Sequence, residues 1–149
     1  MRWYTGLHGR CGPLQEGIGV ADLASLRLSV VIPSYNEIAT LERAIEAVRR
    51  SPVPHKEIIV VDDGSTDGTR ELIETRLRDR IDQVILHPRN RGKGAALRSG
   101  FAAATGDVVV VQDADLEYDP AEFPKLLRPF LDQGADVVFG SRFIGGESH

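Results

Sequence analysis

Along the chain, short apolar runs rich in β-branched residues alternate with longer stretches in which apolar residues return every third or fourth position. The runs are "LSVVIP" (28–33), "EIIVVDD" (57–63), "QVILHP" (83–88), "DVVVVQD" (107–113) and "ADVVFGS" (135–141). Most are apolar without interruption, the pattern of strands buried on both faces rather than on one. Between them, Leu41, Ile45 and Val48 share one helical face, and Leu72, Ile73 and Leu77 share a second. Ala96, Leu97, Phe101 and Ala104 mark a third, with Gly106 placed to close it. For the fourth, "DPAE" (119–122) is a good start signal, but Pro124 and Pro129 would each interrupt a helix begun there. The spacing therefore predicts a short turn and then a helix from Pro124. Strand and helix alternate about every 25 residues, which implies βαβ units and an α/β fold: a Rossmann-like parallel sheet with helices on both faces. Residues 1–27 show no sustained period and carry five glycines and one proline, so they are expected to form a mobile N-terminal arm.

Composition narrows the function classes. A length of 149 residues suits one domain. A formal net charge of −4 provides no basic footprint, so nucleic acid is not an expected partner. Cys11 is the single cysteine and cannot form an internal disulfide, which fits a reducing compartment. No apolar run approaches the ~20 residues of a membrane span. The first residues lack the apolar core of a signal peptide, so a cytoplasmic location is expected.

Candidate chemistry gathers where a parallel sheet binds its ligands, beyond the carboxyl ends of the strands. The runs end in "PSYNE" (33–37), "DDGSTDGT" (62–69), "QDADLE" (112–117) and "GSR" (140–142), and the third leads through "HPRN" into "RGKGAA" (91–96). Four valines run directly into Asp113, Asp115, Glu117 and Asp119. Carboxylates at that density repel one another unless a cation joins them. Mg²⁺ or Mn²⁺ fits, since such ions take oxygen ligands and commonly pair one or two carboxylates with substrate phosphates. Arg89, Arg91 and Lys93 are cations near such a diphosphate, and Gly92 and Gly94 permit close backbone approach. The loop is not a Walker A, because no glycine stands five residues before Gly92. Arg89 equally suits a solvated basic turn, and Thr66 or Asp67 suits the cap of the second helix. His8, His55, His87 and His149 show no ligand spacing and are assigned no role.

Taken together, "VVIPSYNE", "VVDDGSTDGT", "NRGKGAALRSG", "VVQDADLEYDP" and "GSRF" resemble glycosyltransferase family 2, inverting enzymes with the GT-A fold. Within it the chain is most similar to the polyprenyl-phosphate (dolichol-phosphate) mannose and glucose synthases, over about residues 28–143. The resemblance implies transfer of a hexose from a nucleotide-diphosphate sugar, of GDP-mannose or UDP-glucose type, to a polyprenyl or dolichyl phosphate. It places Pro33, Tyr35, Glu37, Asp63 and the backbone of Val61 at the nucleoside. It places Asp113 and Ala114 at the nucleotide-sugar, Asp115 and Glu117 at the metal, and Arg142 at the donor diphosphate or sugar. Catalysis would then fall to Asp113, Asp115 and Arg142. Related mannose synthases often have Gln where this chain has Glu117; the extra charge either strengthens metal binding or points to solvent. Glu37 is also a favourable first-turn acid.

Two alternatives differ in class. A receiver domain needs its acidic pair after the first strand and a lysine after the fifth, whereas here the pair follows the second and the fifth ends in "GSR". A domain that only binds nucleotide-sugar is the stronger rival, because the chain stops at His149 soon after "GSRF". On this reading residues 28–149 are the donor-binding part of a transferase truncated before its acceptor side. Contact at the cytoplasmic face of a membrane would come from the missing segment, and the chain alone would bind donor without transfer. A hydroxyl acceptor, as in polysaccharide synthesis, is a further variant that would need a carboxylate base.

Overall fold

A computed structural model describes residues 3–4 and 23–138. The strands are β1 (Trp3–Tyr4), β2 (Arg27–Ser34), β3 (His55–Asp62), β4 (Gln83–Leu86) and β5 (Val108–Val111). The helices are α1 (Leu41–Arg50), α2 (Thr69–Leu72), α3 (Lys93–Ala103) and α4 (Phe123–Gln133). The sheet order is β1-β5-β2-β3-β4, with β5, β2, β3 and β4 parallel and β1 antiparallel at the edge. Because β3 lies on one side of β2 and β5 on the other, strand order reverses between β2 and β5. That reversal is the place where such sheets open a ligand crevice.

Alternation along the strands fills two cores. Leu28, Val30 and Ile32 of β2, with Ile58, Val60, Val108 and Val110, pack against Leu41, Ile45 and Val48 of α1 and against Phe123 and Leu127 of α4. Ile73 and Leu77 join the same face. Val31, Ile59, Val61 and Val109 point the other way, onto Ala96, Leu97 and Phe101 of α3. Both faces are covered, which is why the strands read as unbroken apolar runs.

Pro33 shows how the strand pattern opens the crevice. The Val31 carbonyl accepts a hydrogen bond from the Gln112 N–H at 2.9 Å, so odd positions of β2 face β5. Pairing with β5 ends at Val31, and Pro33 is the next odd position. Its missing N–H therefore costs no ladder bond.

Several expectations are corrected. Helix α2 is only four residues long and continues as a π-helical turn over Ile73–Leu77 and a 3₁₀ turn over Arg78–Arg80. Gly106 does not close α3, because the helix ends when Ala104 turns extended. Gly106 instead lies tight on β2, where a Cβ would stand 2.6 Å from the Ser29 hydroxyl. The "DPAE" turn is a 3₁₀ turn over Pro120–Glu122, capped by the Asp119 carboxylate on the Ala121 N–H at 2.9 Å. Helix α4 then starts at Phe123 and runs through Pro129. The bond Pro129 removes would have gone to the Lys125 carbonyl, and Lys125 is exposed, so water can satisfy it. Residues 135–138 do not form the first half of the fifth predicted strand, and 139–141 lie outside the described residues. Within the supposed N-terminal arm, Trp3–Tyr4 pair with Val110 and Val109, residues 23–27 lead into β2, and the rest lies outside the described residues.

Candidate functional site

The loop after β2 is held by the loop after β3. The Asn36 N–H donates to Ser65 Oγ at 2.9 Å, and the Thr66 N–H donates back to Asn36 Oδ1 at 2.8 Å. Asn36 sits at φ 53°, a left-handed turn that asparagine tolerates. The Glu37 N–H donates to Thr69 Oγ1 and the Ile38 N–H to Asp67 Oδ2. Asp67 also accepts the Thr69 N–H at 3.0 Å, but the residue that caps α2 is Gly68, in a left-handed turn, rather than Asp67 or Thr66. Burial raises the Asp67 pKa, but hydrogen bonds from Thr69 and Ile38 outweigh it and leave the carboxyl below its ordinary value. This stitching turns Tyr35 and Glu37 toward the crevice. Tyr35 keeps 46% of its surface exposed, and Glu37 Oε2 accepts from the Thr40 hydroxyl at 2.7 Å.

Asp63, at the end of β3, is 3% exposed and holds the loop after β4. Its carboxylate accepts the N–H groups of Arg91 (3.0 Å) and Gly92 (2.8 Å), and its Oδ1 lies 2.7 Å from His87 Nδ1. Burial raises the Asp63 pKa; the bonds from His87, Arg91 and Gly92 more than reverse this, so the carboxyl titrates below its ordinary value. Beside it, Gly64 turns at φ +76° so close to the next loop that a Cβ would stand 2.4 Å from the Arg89 carbonyl carbon. Glycine is the residue that fits both demands. Buried Asp62 pairs with Arg70 at 2.9 Å, and the same guanidinium donates to the His87 carbonyl.

Beyond β5, the buried Gln112 amide donates to the carbonyls of Asp113 and Tyr118, closing the acidic loop on itself. Asp113 Oδ1 lies 2.5 Å from Lys93 Nζ at the start of α3. Asp115 Oδ1 accepts the Glu117 N–H at 3.1 Å across Leu116, which is held at φ 63°. A left-handed leucine is costly and tends to persist where the surrounding loop dictates the turn.

These loops enclose a cleft of about 260 Å³ at the β2/β5 reversal. Of the predicted site residues it brings together Pro33, Tyr35, Glu37, Asp63, Lys93, Asp113, Ala114 and Asp115, and it adds Ser34, Asn90 and Ala96. Val61 lies in the core, Gly92 caps α3 at φ 91° with its N–H on Asp63, and Glu117 is not part of the lining. Arg89 and Arg91 are exposed and also outside the lining, and Arg142 lies outside the described residues. The sequence reading missed His87, because a histidine network joined through separate elements leaves no ligand spacing. Its one signal was position, a polar ring ending an apolar run.

A model of the family described as "Glycosyl transferase family 2" matches residues 29–148. The chain belongs to glycosyl transferase family 2. It is 44% identical over 117 residues to the undecaprenyl-phosphate 4-deoxy-4-formamido-L-arabinose transferase of Pectobacterium atrosepticum, covering 74% of this chain and 35% of that protein. It is 37% identical over 122 residues to the dolichol-phosphate mannosyltransferase of Pyrococcus furiosus, covering 81% and 34%. The chain thus spans about a third of the length of these curated relatives. Among solved structures it resembles glucosyl-3-phosphoglycerate synthase from Mycobacterium tuberculosis, crystallised with Mn²⁺, UDP and glucosyl-3-phosphoglycerate. That match has a TM-score of 0.60 at 32% identity and covers 80% of this chain and 46% of that one. The family 2 chain has the α/β sheet of the GT-A glycosyltransferases, as its motifs implied.

The donor set of this family 2 cleft suits a hard divalent cation. Among the described residues no group of three or more His, Cys, Asp or Glu side chains could hold a metal alone. A Mg²⁺ or Mn²⁺ ion does not need one, since it binds through one or two carboxylates while diphosphate oxygens complete the shell. Asp113 and Asp115 both line the cleft and offer such carboxylates. Among the described residues no helix is long and apolar enough to cross a membrane.

Proposed function

We propose that the chain forms the donor site of an inverting hexosyltransferase that uses a nucleotide-diphosphate sugar and a polyprenyl or dolichyl phosphate. The observation that carries this reading is the composition of one cleft: an exposed aromatic face, a lysine and a carboxylate pair converge where the strand order reverses. Tyr35 gives the nucleobase a flat surface. Lys93 gives the diphosphate a cation, and its pairing with Asp113 holds the ammonium in the cleft beforehand. Such a partly exposed pair is worth only about 0–1 kcal/mol, so it yields readily to a phosphate. Asp115, with Glu117 as second candidate, would hold Mg²⁺ or Mn²⁺. When bound, the ion supplies Lewis-acid stabilisation of the charge on the departing nucleoside diphosphate.

An acceptor phosphate oxygen attacks the anomeric carbon from the face opposite the leaving group. The new C–O bond forms as the bond to the donor diphosphate breaks, and the diphosphate leaves with the electron pair. A lipid phosphate is already ionised, so no general base is required. Arg142 is proposed to approach the same diphosphate. The relatives named for undecaprenyl- and dolichol-phosphate chemistry support this acceptor class, and the UDP and Mn²⁺ of the structural neighbour support the donor class.

Calorimetry with GDP-mannose and UDP-glucose, each with Mn²⁺ and with EDTA, tests the reading. One donor is expected to bind in Mn²⁺, and Asp115→Asn is expected to weaken it by at least about tenfold, ~1.4 kcal/mol. Binding unchanged in EDTA, or equal in the variant, would overturn the assignment of Asp115.

A further inference from the structure

We propose that His87, through Asp63, is a positioning residue for the diphosphate half of the donor cleft. The proposal rests on the donor reading of the cleft given above.

His87 is 4% exposed and is held at every polar atom. Its N–H donates to the Asp62 carbonyl at 2.8 Å, and its own carbonyl accepts from Arg70. Its ring bridges Asp63, at 2.7 Å from Nδ1, and Ser99 Oγ, at 2.9 Å from Nε2. Chemistry assigns the protons. Asp63 accepts the N–H groups of Arg91 and Gly92, so its carboxylate is an acceptor and Nδ1 carries the hydrogen that it receives. In that tautomer Nε2 accepts a hydrogen bond from the Ser99 hydroxyl.

This relay controls two points on either side of Lys93. Upstream, Asp63 holds the Arg91 and Gly92 amides that immediately precede it. Downstream, Ser99 ties the second turn of α3 to the same ring. Lys93 is therefore presented to the cleft by a helix start fixed from both ends. The ring also fixes the Asp63 carboxylate in one orientation. Asp63 lines the cleft, and a carboxylate free to rotate there would oppose an incoming diphosphate.

A Ser–His–Asp line at these distances is also the geometry of a nucleophile triad. Here the arrangement is reversed: the aspartate lines the cleft and the serine does not. That placement supports positioning rather than nucleophilic attack.

The test measures affinity of the full chain for nucleoside monophosphate and diphosphate (UMP and UDP, GMP and GDP) at saturating Mn²⁺. His87→Leu is expected to weaken the diphosphate about tenfold while the monophosphate changes by less than about twofold. His87→Asn, whose amide can replace Nδ1–H toward Asp63, should recover most of the loss. Lys93→Ala should reproduce the selective loss, and the double variant should lose much less than the product of the two single effects. Amide exchange at Arg91 and Gly92 should accelerate in His87→Leu. If His87→Leu does not fold, Ser99→Ala carries the same comparison, with a diphosphate loss of about threefold. Equal loss of both ligands, no rescue by asparagine, or independent effects of His87 and Lys93 would overturn the proposal. A wild-type chain that binds no nucleotide would overturn the donor reading and this inference with it. A wild-type chain that prefers diphosphate, with a variant that keeps the preference, would overturn this inference alone.

Discussion

Asp63 separates what a residue type announces from what its surroundings make of it. A carboxylate following a buried strand is visible in the sequence, and the structure puts it in the lining of the cleft. Its partners, however, come from residues 87, 91 and 92, about 24 to 29 positions later, and nothing in local spacing reveals which amides fold back onto it. Glu57 and Asp67 are comparable. For Glu57, burial raises the pKa and bonds from Ser29, Thr105 and Gln83 more than reverse it, leaving the carboxyl low. The sign of the pH effect follows. A carboxyl whose folded pKa lies below its unfolded value contributes stability that is complete above the unfolded value and is lost as pH falls through the folded one. Glu57, Asp63 and Asp67 all shift downward, so urea stability should be level near neutrality and decline below about pH 4. Asp63→Asn should start less stable at pH 7 and fall less steeply in acid; an identical acid slope would show that Asp63 is not one of the responsible groups.

The same limit governs the elements. Strands β2, β3 and β5 were legible because burial on both faces demands unbroken β-branched runs. Strand ends were less legible than strand centres: β4 was read two residues too long and β5 three, because the polar residues that flank each apolar run leave the ladder for the loops. In α4 the prolines placed the turn and the helix start to within one residue, and Pro129 is tolerated inside because the carbonyl it leaves unpaired is exposed. At Gly100 close packing reverses a local preference. Replacing a helical glycine by alanine normally stabilises by up to about 1 kcal/mol. In α3 the new Cβ would stand 2.3 Å from Val31 Cγ1 at the centre of the sheet, so helix and strand would have to separate. Gly100→Ala is expected to destabilise by about 1–3 kcal/mol in urea unfolding, the cost of overpacking a filled core. Val31→Ala should offset part of that loss in the double variant, because it removes the clashing methyl. A stabilised Gly100→Ala protein would mean that α3 does not sit this close to β2.

At the scale of the whole molecule, the cleft matters because its walls come from several strands, loops and a helix start that converge at one end of the sheet. Pro33 lies at the end of β2 and Tyr35 just beyond it, Asp63 follows β3, Lys93 opens α3, and Asp113 and Asp115 lie in the loop after β5. A ligand held by all of them links both sides of the strand-order reversal, so unfolding either side requires its release. Binding to the folded state alone stabilises it by about 2.7 kcal/mol when free ligand is a hundred times Kd. For a domain of about 150 residues, at roughly 2–4 °C per kcal/mol, that raises Tm by roughly 5–11 °C. The rise should require Mn²⁺ and nucleoside diphosphate together, because the metal-binding carboxylate and the phosphates complete one coordination shell between them. Neither component alone should produce it, and EDTA should abolish it. Asp115→Asn should melt at the wild-type temperature without ligand, since Asp115 supports only the exposed Glu117 turn, but should show little of the shift. A full shift in EDTA would place the diphosphate on Lys93 and backbone amides alone. An unliganded Asp115→Asn protein that melts far below wild type would instead show that the acidic loop maintains the fold.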